Sequence, residues 1–195
     1  MGKKSTEKGT TKAPTKDIVA KAEENIDTGS RKVTGKMLDD FTKFKAQWES
    51  VAKDPAKSVL FFLIAASHHA RDPVKSEAMV TVVMAKGSSV PDSKSPSGLK
   101  LYQGDRTSLD NVDALPGVIN SYLGGTPENG YKVDPANLVM DVAGAGYSGN
   151  DGTVTIQSSG KDFTTPMNVV KDEHGRWHVF SFAHFATSVK VATKK

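Results

Sequence analysis

The stretch Asp54–Pro73, DPAKSVLFFLIAASHHARDP, decides how the chain is read. Asp54 can cap the first free N–H groups of a helix, and Pro55 suits the first helical position. From Val59 to Ala66 every residue is apolar, so the helix has no solvent face along its middle. Such a helix is normally enclosed on all sides. The Asp-Pro pair recurs at Asp72–Pro73, where a second helix should begin.

Working outward, the spacing of Met37, Leu38, Phe41, Phe44, Trp48 and Val51 predicts an amphipathic helix within Val33–Lys53, with Thr34 as its cap. A third helix is expected over Pro73–Lys86, stopped by Gly87. Ser88–Arg106 reads as a surface connection with one short strand at Leu99–Tyr102, and Thr107–Leu123 as weakly helical. From Asn137 the apolar period becomes two: Leu138, Met140 and Val142, then Val154 and Ile156, then Met167 and Val169, then Trp177–Phe185. Gly144–Gly152, Ser158–Asp162 and Asp172–Gly175 are turn-rich and short, so the strands should be antiparallel neighbours. Trp177–Phe185 is apolar on both faces and is expected to be central in the sheet. Helices followed by strands give an α+β class. The expected architecture is three to four N-terminal helices on a C-terminal, mainly antiparallel sheet of four to five strands.

Residues 1–32 read as a disordered basic tail and linker with a short helix at Asp17–Ile26, and residues 33–192 as one α+β domain. The net charge of +4 is all carried by residues 1–16, which hold Lys3, Lys4, Lys8, Lys12 and Lys16 against Glu7. The remainder is neutral overall. A nucleic acid is therefore not an expected partner, except through this tail. The longest apolar run is far short of the roughly 20 residues needed to span a membrane. The chain contains no cysteine, which excludes disulfides, thiolate zinc sites and cysteine nucleophiles and fits a cytoplasmic location.

Few residues suggest chemistry. Gly144-Ala145-Gly146-Tyr147-Ser148-Gly149 matches the dinucleotide-binding spacing, but Asp151-Gly152 leads into another strand and no helix follows to receive a pyrophosphate. His68 and His69 are adjacent on a helix and point about 100° apart. His178 and His184 share a strand face but lie roughly 20 Å apart. Neither pair suits one metal ion, and no catalytic, metal or cofactor site is expected. The loop SYLGGTPENGY, Ser121–Tyr131, is small, polar and flanked by tyrosines. Such a loop either recognises a ligand or simply connects helices to sheet. Candidate ligand-binding residues are Tyr122, Thr126, Glu128, Asn129 and Tyr131 from this loop, with His178 and His184.

Three segments carry a family resemblance: SYLGGTPENGY, VTIQSSGKDFTTPMNVVKDEHGRWHVFSF and DPAKSVLFFLIAASHHARDP. Together they resemble a family of uncharacterised bacterial proteins classed as a domain of unknown function, over roughly Gly35 to Val191. The resemblance implies one domain and a bacterial source, and no activity, cofactor or catalytic residue. The helix-then-sheet layout ending in a Trp-x-Val strand is also similar to cone-shaped α+β folds of the nuclear-transport-factor kind, a likeness of layout that does not settle function. The sequence therefore reads as a non-enzymatic binding or protein-interaction module with an unknown protein or small-molecule partner. The alternative is a small-molecule-binding or hydrolytic protein with a pocket between helices and sheet.

Overall fold

The computed structural model describes residues 24–27, 29–115, 117–182 and 187–193. In chain order the elements are β1 (Glu24–Asp27), β2 (Arg31–Gly35), α1 (Phe41–Val51), α2 (Pro55–Ser67), α3 (Pro73–Val83), β3 (Ser89–Pro91), β4 (Leu99–Leu101), α4 (Gln103–Asp113), β5 (Leu138–Ser148), β6 (Asp151–Gln157), β7 (Thr164–Lys171) and β8 (Trp177–Ser181). The class is α+β, with four α-helices that mostly precede the sheet.

The helix starts follow local chemistry. Asp40 caps α1 by accepting from Lys43 N at 2.8 Å. Asp54 caps α2, accepting from Ala56 N at 2.9 Å, and Asp72 caps α3, accepting from Lys75 N at 3.1 Å. Pro55 and Pro73 fill first-turn positions whose N–H would have no helical partner. As its composition implies, α2 is enclosed along its length. Val59 to Ala66 are all buried, and the ammonium of Lys57 reaches the Thr34 carbonyl at 2.8 Å.

The main sheet runs in the order β1-β5-β6-β7-β8, with every neighbouring pair antiparallel. β2 also pairs with β5, so six strands fill five positions. β5 is long enough for both: β1 lies along Ala145–Ser148 and β2 along Leu138–Val142. A bulge between Val142 and Gly144 absorbs one residue and keeps Ala145 on the buried face, opposite Val154. One face of the sheet packs on the helices. Met140, Val154, Ile156, Met167 and Val179 from the strands meet Leu60, Leu63 and Ile64 of α2 there, and none of these is exposed. The other face carries Asp141, Thr153, Thr155, Pro166, Asn168 and Phe180 and has no such cover among the described residues.

Several expectations change. Residues 1–23 lie outside the described residues, but β1 and β2 occupy the stretch read as short helix, linker and first helical residues. Val33 is buried opposite Met140 in β2, and the first helix starts at Phe41, not at Thr34. A free edge of β5 supplies partners that outweigh weak helical periodicity. The glycine-rich match at Gly144–Gly149 is strand as far as Ser148, and the hairpin turns at Gly149–Asn150. Gly149, at φ +62°, occupies the first turn position where a side chain would be strained. β8 is an edge strand and not a central one. It pairs with β7 on one side, and on the other Ala85 N donates to Val179 O at 2.9 Å. Phe180 is 61% exposed, and among the described residues no element covers the outer face there.

Candidate functional site

The Ser121–Tyr131 loop is held by its own polar groups. Two short 3-10 turns, Asn120–Tyr122 and Pro127–Asn129, flank Gly124 and Gly125. Thr126 and Asn129 form a reciprocal cap: the Thr126 side chain accepts from Asn129 N, and Asn129 Oδ1 accepts from Thr126 N at 2.9 Å. Asn129 also accepts from Lys132 N at 3.0 Å and donates through Nδ2 to Lys132 O at 2.9 Å. The exposed Glu128 carboxyl is held below its usual range by hydrogen bonds from its own backbone N–H and from the Thr126 hydroxyl.

The two tyrosines face different neighbours. Tyr122 is fully buried, with its hydroxyl 2.6 Å from Thr165 Oγ1 on β7. Burial raises its hydroxyl pKa, and the Thr165 hydrogen bond partly offsets this. Tyr131 sits at φ +57° with its ring against Gly117 and Gly160. Its hydroxyl donates to Lys190 O at 2.6 Å. Lys190 N in turn donates to Gly160 O, and Thr193 N to Pro127 O, each at 2.9 Å. The loop thus fastens the segment 188–193 to the body of the protein.

His178 lies away from the loop. It stands opposite Val170 on β7, five positions from the Thr165 that holds Tyr122, a separation of roughly 17 Å along the strand. Its Nδ1 is 3.1 Å from Met84 O and its Nε2 3.2 Å from Asp172 Oδ2, while Trp48 packs edge-on at 5.0 Å between centroids. Burial alone would raise the Asp172 carboxyl. Hydrogen bonds from Arg176 N, His178, the Arg176 side chain and His174 N outweigh that and hold it well below the usual carboxylate range. His184 lies outside the described residues. The structure does not gather His178, Tyr122 and Tyr131 into one site.

Tyr122, Thr126 and Asn129 do line a common groove of about 430 Å³. It lies on the helix-free side of the sheet, where register aligns Lys32, Asp141 and Gln157 across β2, β5 and β6. Lys132, Asp134 and Asn137 complete its polar lining. Lys32 Nζ and Asp141 Oδ1 are 3.8 Å apart, an exposed pair of the kind that contributes little to stability. A second groove of about 460 Å³ lies further along the same face, lined by Gly146, Ser148, Asp151, Thr153, Asn168 and Phe180 among others. The sequence reading passed over Lys32, Asp141 and Gln157. Asp141 and Gln157 fall at outward positions of the period-two pattern, whereas Lys32, in the stretch read as linker, carries no such signal. The alternative reading places a pocket between helices and sheet; both these grooves are on the opposite side, and Leu60, Leu63, Met140 and Ile156 fill the layer between.

Among the described residues, no group of three or more His, Asp or Glu could hold a metal ion. Among the same residues, no helix is long and apolar enough to cross a membrane. Neither the curated proteins nor the solved structures contain a match to this chain. A family model does match, beginning one residue after β2 ends and running through the helices, the loop and the strands of the sheet. The chain belongs to the family described as a domain of unknown function, DUF6935, over residues 36–193.

Proposed function

We propose that the protein is a non-enzymatic binding module whose contact surface is the helix-free face of its sheet. The observation that carries this reading is Phe180, a large apolar side chain 61% exposed beside short residues such as Gly146, Thr153, Thr155 and Asn168. An aromatic anchor beside a shallow groove suits a protein or peptide partner, because burying its ring supplies most of the contact energy from one residue. The test is quantitative affinity capture with wild type, Phe180→Glu, Thr155→Arg and Val74→Glu as baits. Val74 is equally exposed but lies on α3. The reading expects one partner captured by wild type and Val74→Glu and lost with both face variants. Capture indifferent to Phe180 and Thr155 defeats it.

A second reading rests on the groove beside the loop. Its volume of about 430 Å³ falls in the range of small-molecule sites. Its lining of Lys32, Lys132, Asp134, Asp141 and side-chain amides suits a small polar ligand carrying both charges, such as an amino acid. Titration with amino acids, sugars and nucleotides, followed by amide chemical shifts, should perturb Lys32, Gly124, Asn137 and Asp141 together. Shifts scattered elsewhere, or none with any of these classes, defeat this reading.

A further inference from the structure

His178 sits where the end of α3 meets the edge strand β8, and both of its ring nitrogens face acceptors. Nδ1 faces the Met84 carbonyl at 3.1 Å, and Nε2 faces Asp172 Oδ2 at 3.2 Å. A carbonyl oxygen has only lone pairs to offer, and an ionised carboxylate likewise. Neutral imidazole carries one N–H and one lone pair, so it satisfies one of these contacts and opposes the other. Only the imidazolium, with two N–H groups, satisfies both.

His68 shows the alternative. Its Nε2 faces the Leu38 carbonyl at 2.9 Å, but its Nδ1 faces the guanidinium of Arg71 at 2.8 Å, with Asp39 Oδ1 further away at 3.5 Å. One donor and one acceptor fit the neutral ring, and burial lowers the pKa of His68 in the same sense. His68 and His178, two of the three buried histidines among the described residues, are thus wired for opposite charge states.

We propose that His178 is a proton-operated clamp: as the imidazolium it ties the end of α3 to β8, and loss of its Nδ1 proton releases that tie. Deprotonation at Nδ1 sets a lone pair against the Met84 carbonyl, while the Nε2–H bond to Asp172 persists. Met84 and Ala85 are the residues that meet the outer edge of β8, through the bridge to Val179 and the Ala85 N–H donated to Val179 O. The charged groups around the ring come from several elements. From the 172–176 turn come Asp172 and Arg176, joined at 2.9 Å. From α1 come Trp48 against the ring and Glu49, 3.9 Å from Arg176. From β7 the nearest cation, Lys171, is drawn over the Trp177 ring at 4.6 Å. Glu49 is itself paired with Lys45 at 2.5 Å, so the carboxylate that faces the ring directly is Asp172, which the ring shares with Arg176. Releasing the clamp frees the edge of β8 for further strand pairing, a vulnerability of exposed sheet edges in general.

The test follows the ring directly. Long-range proton–nitrogen spectra of His178 are recorded from pH 5 to pH 9, with hydrogen exchange of the Ala85 amide corrected for its intrinsic rate. The clamp requires both ring nitrogens protonated at pH 5, one at the upper end, and at least about a tenfold loss of Ala85 protection over the same titration. In Asp172→Asn the Ala85 opening should follow whatever protonation change the ring shows in the same spectra. A ring singly protonated at pH 5, a ring doubly protonated throughout, or Ala85 exchange that ignores the ring's titration each overturns the proposal. The wild-type measurements decide the matter even where Asp172→Asn fails to fold.

Discussion

Ser58 Oγ donates a 2.6 Å hydrogen bond to the carbonyl oxygen of Trp177, joining α2 to β8 across 119 positions of sequence. The same hydroxyl oxygen lies 3.3 Å from Trp48 Nε1, which donates to it. One buried hydroxyl therefore ties together α1, α2 and the sheet edge. Ser58 is the one polar side chain wholly enclosed within α2, and its conformation is set from outside its helix.

Replacing Ser58 by alanine removes both bonds and leaves the Trp48 N–H buried without that acceptor. A buried donor stripped of its partner costs about 1–3 kcal/mol. Ser58→Ala should therefore destabilise by about 2–3 kcal/mol in chemical unfolding. Ser67→Ala is the control: Ser67 is only half-buried and donates within its own helix to Ile64 O, so its loss should cost less than about 1 kcal/mol. Equal effects from the two changes would show that the Ser58 bridge contributes nothing particular.

The side chain of Tyr131 lies against two glycines, and each should refuse a side chain for a different reason. A Cβ at Gly117, where φ is +83°, would lie 2.4 Å from Tyr131 Cδ2. Gly117→Ala combines backbone strain with a clash into a ring and should cost about 2–4 kcal/mol. A Cβ at Gly160 would lie 2.5 Å from the Tyr131 hydroxyl and 2.8 Å from Val189 Cβ. Gly160→Ala and Tyr131→Phe should therefore couple, the double variant being more stable than the sum of the single losses implies. Strict additivity in a double-mutant cycle would contradict this packing.

Acid should weaken the protein through Asp172 and His68. Both have folded-state pKa values below their ordinary ones. Each then contributes stability that is complete above its unfolded pKa and is lost as the pH falls through the folded value. The His68 share should begin to fade below about pH 6.5, and the Asp172 share below about pH 4. Unfolding free energy measured from pH 7 to pH 5 should decline less in His68→Gln than in wild type. From pH 5 to pH 3 it should decline less in Asp172→Asn. Parallel pH profiles for wild type and variants would remove these groups from the account.

Two phenylalanines two residues apart should behave oppositely. Phe182 is 3% exposed and packs against Phe62 with 4.8 Å between ring centroids, whereas Phe180 stands in solvent. Phe182→Ala should cost about 3 kcal/mol by leaving a cavity. Phe180→Ser should change stability by no more than about 0.5 kcal/mol while reducing any affinity of the outer face for apolar probes. A large stability loss from Phe180→Ser would mean that the ring serves the fold and not a contact surface.

Local sequence signals determined much of this protein. The Asp-Pro pairs at 54–55 and 72–73 set two helix starts because capping needs only residues within one turn. The unbroken run Val59–Ala66 announced an enclosed helix, since no arrangement gives it a wet face. The alternation in Leu138–Val142 and Val154–Ile156 marked the buried side of the sheet, because strand side chains alternate whatever their partners. The family was legible from the helix, loop and strand texts together. Tertiary structure decided the rest. Val33 became strand because β5 offers an unpaired edge, a partner more than a hundred residues away. β8 became an edge strand because nothing after it returns to the sheet within the described residues, which leaves Phe180 in the open. The grooved outer face arises from register, which aligns Lys32, Asp141 and Gln157 from three strands. The charge state implied for His178 depends on the Met84 carbonyl, delivered by the end of a different helix. Residues that act through neighbours distant in sequence carry no local mark of it, because the same side chain in the same segment would serve equally well with other partners.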